Sequence, residues 1–600
     1  MPEHAKEIPA RAELPPEHCW DLSALYADAE AWEKDFRKLG GKLKKLLRFK
    51  GRLGDSAKTL KQAFEAEDEL GYLEGRLAVY ASLRHDEDVT DPANSARRDR
   101  ISAMGSKIEG ETAWIEPELL ALPKEKFRAF RKSPVLAFYR RTLDELERER
   151  RHTLSAPEER ILGMSSEALS TAGKVFGVLN DGDLRFPSIR DSRGNETEIT
   201  HGNYILYLED ADRRVRRDAF AACYDTYGKF ANTFAAILDG TVKTGVLEAK
   251  LRHYPSALAA ALEDDNIPVS VYENLIETVH RSLPSLHRYF RLRAEILGLE
   301  KLDMYDIMNP LVPEAADVIP WEKAVQLAKR ALKPLGETYC AIADSAFRDR
   351  WMDVFECRGK RSGAYSGGFY RTPPYLLLNH SGNLDSVFTL VHEMGHSMHS
   401  YFSDRAQEFR YAGYRIFAAE VASTTNELLL YHDLMEHAES REMKAYLVNY
   451  LLNMIRGTAF RQTMFAEFER DIYAWSEADE PLTEKALSDH YFELNRLYHG
   501  PAVEPDSRIR YEWARIPHFH YDFYVYQYAT GISAASALSQ DILAGRTDRY
   551  MGFLKAGDSK DVIDILKDAG VDFTTSAPVE ACMKLFDDTV GELGNLLKKQ

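Results

Sequence analysis

The stretch Val391-His392-Glu393-Met394-Gly395-His396-Ser397-Met398-His399 constrains this chain more than any other. On a helix, residues at i and i+4 share a face, so His392 and His396 present their imidazoles to one point. Imidazole nitrogen is a good ligand for Zn²⁺ at about 2.0–2.1 Å. Glu393 stands one position round the helix, where its carboxylate reaches a water on the metal without being a ligand. A metal and a base in an H-E-x-x-H pattern point to hydrolysis. The bland alternative is an amphipathic helix whose histidines are solvated or packed in a core. Leu378, Val387, Leu390 and Val391 lie just upstream and set the helix in apolar surroundings. Polar groups buried there need partners, and a metal supplies them. His399 continues the stripe, but seven residues of helix rise about 10 Å while ligands must converge within about 2 Å of one ion. We therefore read His399 as packing or as support for a ligand.

The rest of the chain fits a helical hydrolase. Six hundred residues exceed one ordinary core and imply two or more lobes. A hydrophobic fraction of 44% beside 29% charged residues describes a globular protein. The formal net charge of −17 argues against nucleic-acid partners, whose phosphates it would repel. The five cysteines are scattered, odd in number and without C-x-x-C, which disfavours a disulfide framework and fits a reducing cytoplasm. The first twenty residues mix charges with prolines, so no signal peptide is expected. No apolar run approaches the ~20 residues of a membrane span.

Residues 1–18 read as a loose arm. Apolar residues then recur at three- and four-residue intervals over Ala24–Leu46 and Ser56–Arg84, with breaks at Leu39-Gly40-Gly41 and Gly51-Arg52-Leu53-Gly54. Asp91-Pro92 opens a further helix. The charged run 145–151 is a solvated helix face. Leu184–Ile189 and Glu196–Thr200 flank Asp191-Ser192-Arg193-Gly194-Asn195 and predict a β-hairpin. Helices resume over Arg213–Arg252, Val269–Leu297 and Trp321–Ala346, with a loop at Asn309-Pro310 and Val312-Pro313 between the last two. Glycines from 363 and the run 375–378 predict a loop followed by a strand, whose edge could hold an extended peptide. The expected division is a helical arm and lobe over 1–115, a helical segment ending in the hairpin over 116–200, and a catalytic domain over 201–600.

A catalytic zinc has three protein ligands and water, so a third ligand must come from another element. Ile416–Leu430 reads as a mostly apolar helix carrying Glu420 and Glu427 on one face. An antiparallel return would bring Glu420 to His392 and His396, and let Glu427 accept a hydrogen bond from a ligand imidazole. An ion pair within a helix bundle is the alternative.

His-Glu-Met-Gly-His-x-x-His followed by Ala419-Glu420-Val421-Ala422-Ser423 resembles the thimet-oligopeptidase-like zinc metallopeptidases, most of all their oligoendopeptidase F branch. Trp20-Asp21-Leu22-Ser23, Gly363–Gly368, Pro374–Asn379 and the stretch 517–531 extend the likeness, which is strong over 350–535. The resemblance implies a mainly α, two-lobed fold enclosing a deep channel, with a small β-sheet beside the active site. It implies one zinc per chain and cleavage of short, unstructured peptides at internal bonds. It also nominates His518, Tyr521 and Tyr528 as donors to the developing oxyanion. Tyr521, Tyr524 and Tyr528 have the i, i+3, i+7 spacing of one helix face, which is more commonly core packing. This stretch departs in spacing from the thimet oligopeptidase version, so Tyr524 stands as an alternative.

The expected mechanism has zinc on His392, His396 and Glu420 acidifying its water, Glu393 taking the proton and delivering it to the leaving amine, and a Tyr or His meeting the oxyanion. A carboxypeptidase or dipeptidyl carboxypeptidase with the same site would need a cation for the substrate carboxylate, for which Arg371, Arg415 and Arg515 are candidates. A non-catalytic peptide-binding protein is the remaining reading.

Overall fold

The computed structural model describes residues 8–312 and 318–597. The first seven residues of the arm and Pro313 of the inter-helix loop lie outside the described residues. The protein is mainly α-helical, as its sequence predicts, with two small sheets. Contacts divide it into two units, each assembled from three stretches of chain.

The first unit takes Met1–Thr153, Asp317–Asp433 and Leu538–Gly570. Its longest helix, Ala57–Glu87, starts where the Ser56 hydroxyl accepts the Thr59 N–H. Its neighbour Pro92–Thr112 is capped by Asp91 and has proline in its first turn, where the missing N–H costs nothing. Leu60, Phe64, Leu77, Trp32 and Leu39 join Tyr375 and Leu377 of the sheet in one apolar core. Gly40 and Gly41 do not break the chain; they sit in the first turn of helix Leu39–Leu47, and the interruption falls at Arg37 and Lys38.

The sheet of this unit is what positions the motif. Tyr375–Leu377 is its central strand, parallel to Met352–Asp353 and antiparallel to Tyr365–Gly367. Every residue of the central strand is buried, which accounts for an unbroken apolar run. Tyr365–Gly367 is one of the two edges, and Ser366 Oγ lies 2.8 Å from Ser397 Oγ of helix Leu384–Ala406. That helix carries the H-E-x-x-H sequence and begins where the Asn383 side chain accepts the Ser386 N–H.

The second unit takes Leu154–Ala316, Leu434–Ala537 and Val571–Gln600. The predicted hairpin is present as Ser188–Arg190 paired antiparallel with Glu196–Glu198, its turn closed by Gly194 at φ 84°. Helix Val269–Leu297 ends on Gly298 in the left-handed conformation. Helices Arg441–Ile455 and Arg461–Glu477 are joined without a break by a π-helical turn, Arg456–Phe460.

One local expectation is corrected here. Tyr521, Tyr524 and Tyr528 do not form a stripe on one helix. Pro517–His520 is a 3₁₀ turn, Asp522 and Phe523 have φ of 35° and 58°, and the α-helix begins at Tyr526. Consecutive left-handed residues cannot continue a right-handed helix, so only Tyr528 of the three is helical.

Candidate active site

Helix Leu384–Ala406 aims His392 and His396 at one point, and helix Ile416–His437 brings Glu420 to it. His392 Nε2 and His396 Nε2 are 3.2 Å apart. Glu420 Oε2 lies 3.5 Å from the first and 3.7 Å from the second. Four ligands held tetrahedrally at about 2.1 Å stand about 3.4 Å from one another, so these atoms match one face of such a polyhedron. Two imidazole nitrogens facing each other this closely also need a proton or a cation between them. The chemistry and spacing of the donors thus fit a small divalent ion. Among the described residues, His392, His396 and Glu420 are the group with the composition and convergence to hold one.

The partners of this trio fix its geometry. His392 Nδ1 donates to Glu427 Oε1 over 2.6 Å, which leaves Nε2 turned toward Glu420 and His396. The two helices approach so closely at Gly395 that a β-carbon there would stand 2.5 Å from Ser423 Cα and 2.6 Å from the Ala422 carbonyl oxygen. Asn426 donates to the Val391 carbonyl across the same contact. Sequence reasoning overlooked Gly395 and Asn426; a glycine inside an apolar motif helix was the available signal.

Glu393 is buried and turned toward the edge strand. Burial pushes its carboxyl up to about 7, opposed by the neighbouring His392 charge and by the Ser366 backbone N–H. Burial works against a charge on His392, but the hydrogen bond and charge of Glu427 outweigh it and raise the imidazole to about 9. His396 is lowered to about 4 by burial and by His392. The two imidazoles cannot both be protonated at this separation. His399 is packing: its ring stacks on Tyr414 at 3.7 Å and meets Phe553 at a tilt at 4.8 Å, and burial depresses it to about 3.

In the second unit, His518 Nε2 lies 3.3 Å from Tyr528 Oη, and the His518 ring stacks at 17° on Tyr524. Tyr521 contacts the same imidazole edge-on at 6.1 Å but is 59% exposed. Burial, with the charge of Arg461 adding to it, lowers the His518 pKa and favours the neutral ring, which can share a proton with Tyr528.

A helical protein whose His-Glu-x-x-His helix is completed by a glutamate from the next helix has the metal-binding site of a metallopeptidase. The family model for peptidase family M3 matches residues 206–585, and that for oligopeptidase F matches 118–186. The chain belongs to peptidase family M3, in its oligopeptidase F group. It is 44% identical to oligopeptidase PepF of Bacillus subtilis over 99% of this chain and 89% of that one. It is 38% identical to group B oligopeptidase PepB of Streptococcus agalactiae over 98% of both chains. The crystal structure of oligoendopeptidase-F from Enterococcus faecium superposes with a TM-score of 0.75 at 38% identity, covering 94% of this chain and 99% of that one.

Proposed function

We propose that the protein is a zinc endopeptidase that hydrolyses internal bonds of short, unstructured peptides. The convergence of His392 Nε2, His396 Nε2 and Glu420 Oε2 beside Glu393 carries this reading. One zinc ion per chain would be held by these three groups, acidifying a water and polarising the scissile carbonyl. Glu393, buried beside the two imidazoles, accepts the proton of the attacking water and returns it to the leaving amine. Glu427 holds His392 in the tautomer that turns Nε2 inward. The edge strand Tyr365–Gly367 beside the motif helix offers main-chain groups to an extended peptide. Tyr528 with His518 is our choice of oxyanion donor, with Tyr521 alongside.

The exopeptidase reading needs a free cation, and two of its three candidates are paired. Arg415 is paired with Glu145 and Asp558, and Arg515 with Tyr224 and Glu512. Arg371, the third, is exposed, with its backbone N–H on the Asp404 carboxylate and its Nε on the Asp404 carbonyl, and it is the cation the exopeptidase reading would use. Short peptides are the substrate class that the relatives' names record, and no nucleic-acid role is proposed for so acidic a chain. We assign the protein to the cytoplasm on its five free cysteines. Among the described residues no helix is long and apolar enough to cross a membrane. The experiment is mass spectrometry of products from a peptide library of graded length, with free and blocked ends. Internal cleavage of both sets supports the proposal; release of terminal residues from free C-termini alone would replace it with the carboxypeptidase reading.

A further inference from the structure

The second unit contains a cavity of about 250 Å³ remote in sequence from the H-E-x-x-H motif. Leu208, Phe220, Phe290, Met304, Met464 and Ile509 give it an apolar wall. Three guanidiniums, Arg456, Arg461 and Arg515, and one carboxylate, Glu512, also line it. Glu512 is committed: it accepts from Arg461 at 2.7 Å and from Tyr491 at 2.7 Å, with Tyr224 at 3.2 Å and Arg515 at 3.8 Å.

Arg456 has no such partner. It is 7% exposed, its Nε has no hydrogen-bond acceptor, and its Nη2 faces only the Met308 sulfur at 3.4 Å. A thioether is a weak acceptor. The charged groups felt by Arg456 include Arg293 and Arg461, both positive, and no carboxylate; burial and this repulsion push it down to about 10, still protonated at neutral pH. A buried charge without a counter-charge is costly, and groups of this kind are kept where a ligand completes them. The backbone supports the same conclusion. Arg456 opens the π-helical turn Arg456–Phe460, a distortion concentrated at functional sites. Next to it Gly457 lines the cavity, and a β-carbon there would meet nothing within 4 Å.

We propose that this cavity binds a small monocarboxylate with an apolar body, its carboxylate on the Arg456 guanidinium and its hydrocarbon among Phe220, Phe290 and Met464. A guanidinium pairs a carboxylate through two parallel N–H donors, a geometry neutral or cationic ligands cannot use. The local excess of positive charge excludes amines, and a volume at the low end of ligand pockets restricts the body to about the size of one aromatic ring and a short chain.

The test is calorimetric titration and thermal unfolding of the full chain with 4-phenylbutyrate, set against 4-phenylbutanol and 4-phenylbutylamine. The acid is expected to bind saturably and raise Tm, with the alcohol and the amine at least tenfold weaker. Arg456→Met, which removes an unpaired buried charge and should fold, is expected to lower affinity for the acid at least tenfold. Gly457→Leu, which fills the cavity, is expected to abolish binding while leaving the circular dichroism unchanged. Equal binding of the alcohol, binding that survives both substitutions, or no saturation by millimolar acid would each overturn the proposal. So would an Arg456-dependent rise in Tm with sodium chloride alone that 4-phenylbutyrate neither adds to nor competes with, which would reduce the cavity to an inorganic anion site.

Discussion

Gly395 stands against the backbone of Ser423, with room for a hydrogen and no more: a β-carbon would lie 2.5 Å from Ser423 Cα. This contact sets the distance between the helix bearing His392 and His396 and the helix bearing Glu420 and Glu427. The obstacle is backbone rather than a side chain that could swing away. Gly395→Ala must therefore separate the helices, at a cost of about 1–3 kcal/mol by the usual measure of overpacking. Separation lengthens the distance from Glu420 to both imidazoles. We expect Gly395→Ala to keep its helical circular dichroism while losing at least tenfold in zinc affinity and in peptide turnover. Stoichiometric metal and wild-type turnover in the variant would show that the close approach is incidental.

Glu427 and Glu420 sit on the same helix but do different work. Glu420 is aimed between the imidazoles, whereas Glu427 accepts from the far nitrogen of His392 at 2.6 Å. Removing an outer partner of this kind typically costs about 10–100-fold in metal affinity or activity. Glu427→Ala should retain zinc at saturating metal and show that order of loss in affinity by competition with a chelator. Glu420→Ala should fail to hold zinc through dialysis. If the two variants lose metal to the same extent, the distinction between ligand and support is wrong.

Glu393→Gln separates metal binding from proton transfer. The amide is isosteric and cannot act as a base, and a positioned general base contributes about 10²–10⁴-fold. Turnover of a fluorogenic oligopeptide should fall by that order with zinc content unchanged. Retained turnover, or lost zinc, would remove Glu393 from the role of base.

Much of this site was legible because helical spacing is rigid. His392 and His396 share a face at i and i+4, and Glu420 and Glu427 at i and i+7, whatever the rest of the fold does. Asp91-Pro92 and Ser56 announced helix starts by local hydrogen bonding alone. Gly395 was opaque because its reason lies 28 residues downstream in another helix, and a pattern within one segment carries no such distance. The tyrosine stripe failed for a local reason: Asp522 and Phe523 adopt left-handed backbone, which Asp takes up more readily than most residues but Phe does not advertise. The division at 115 and 200 follows the chain, while the contacts group three stretches into each unit. Periodicity identifies helices; which helices pack together is decided by tertiary contacts it does not encode.

Tyr528 and Tyr521 differ in setting, and that difference separates their expected effects. Tyr528 shares a hydrogen bond with half-buried His518, whereas Tyr521 is largely exposed. A donor aimed at the oxyanion acts in the transition state, so its loss lowers kcat and spares KM. Tyr528→Phe is expected to reduce kcat about 10²-fold, in the range of a lost oxyanion donor. Tyr521→Phe is expected to change it less than Tyr528→Phe. The reverse order in steady-state kinetics would give the role to Tyr521.

The turn that precedes the Tyr528 helix is held by a carboxyl that is neutral at pH 7. Glu469 is fully buried; its Oε1 accepts the Phe523 N–H at 2.8 Å and its Oε2 has no partner. Burial raises its pKa to about 8, with the Phe523 hydrogen bond opposing and Asp522 adding to the rise. The folded pKa exceeds the unfolded one, so the folded state holds a proton that the unfolded state releases above about pH 4.5. Stability from this group is therefore fully present below about pH 4.5. It declines as pH rises toward 8, by on the order of 1 kcal/mol per pH unit. Glu469→Gln preserves the shape of the neutral carboxyl and cannot titrate. Its urea-unfolding stability minus that of the wild type should increase steadily between pH 5 and pH 8 and level off above that. Parallel pH profiles for the two proteins would mean that Glu469 is ionised in the folded state and that some other group compensates its charge.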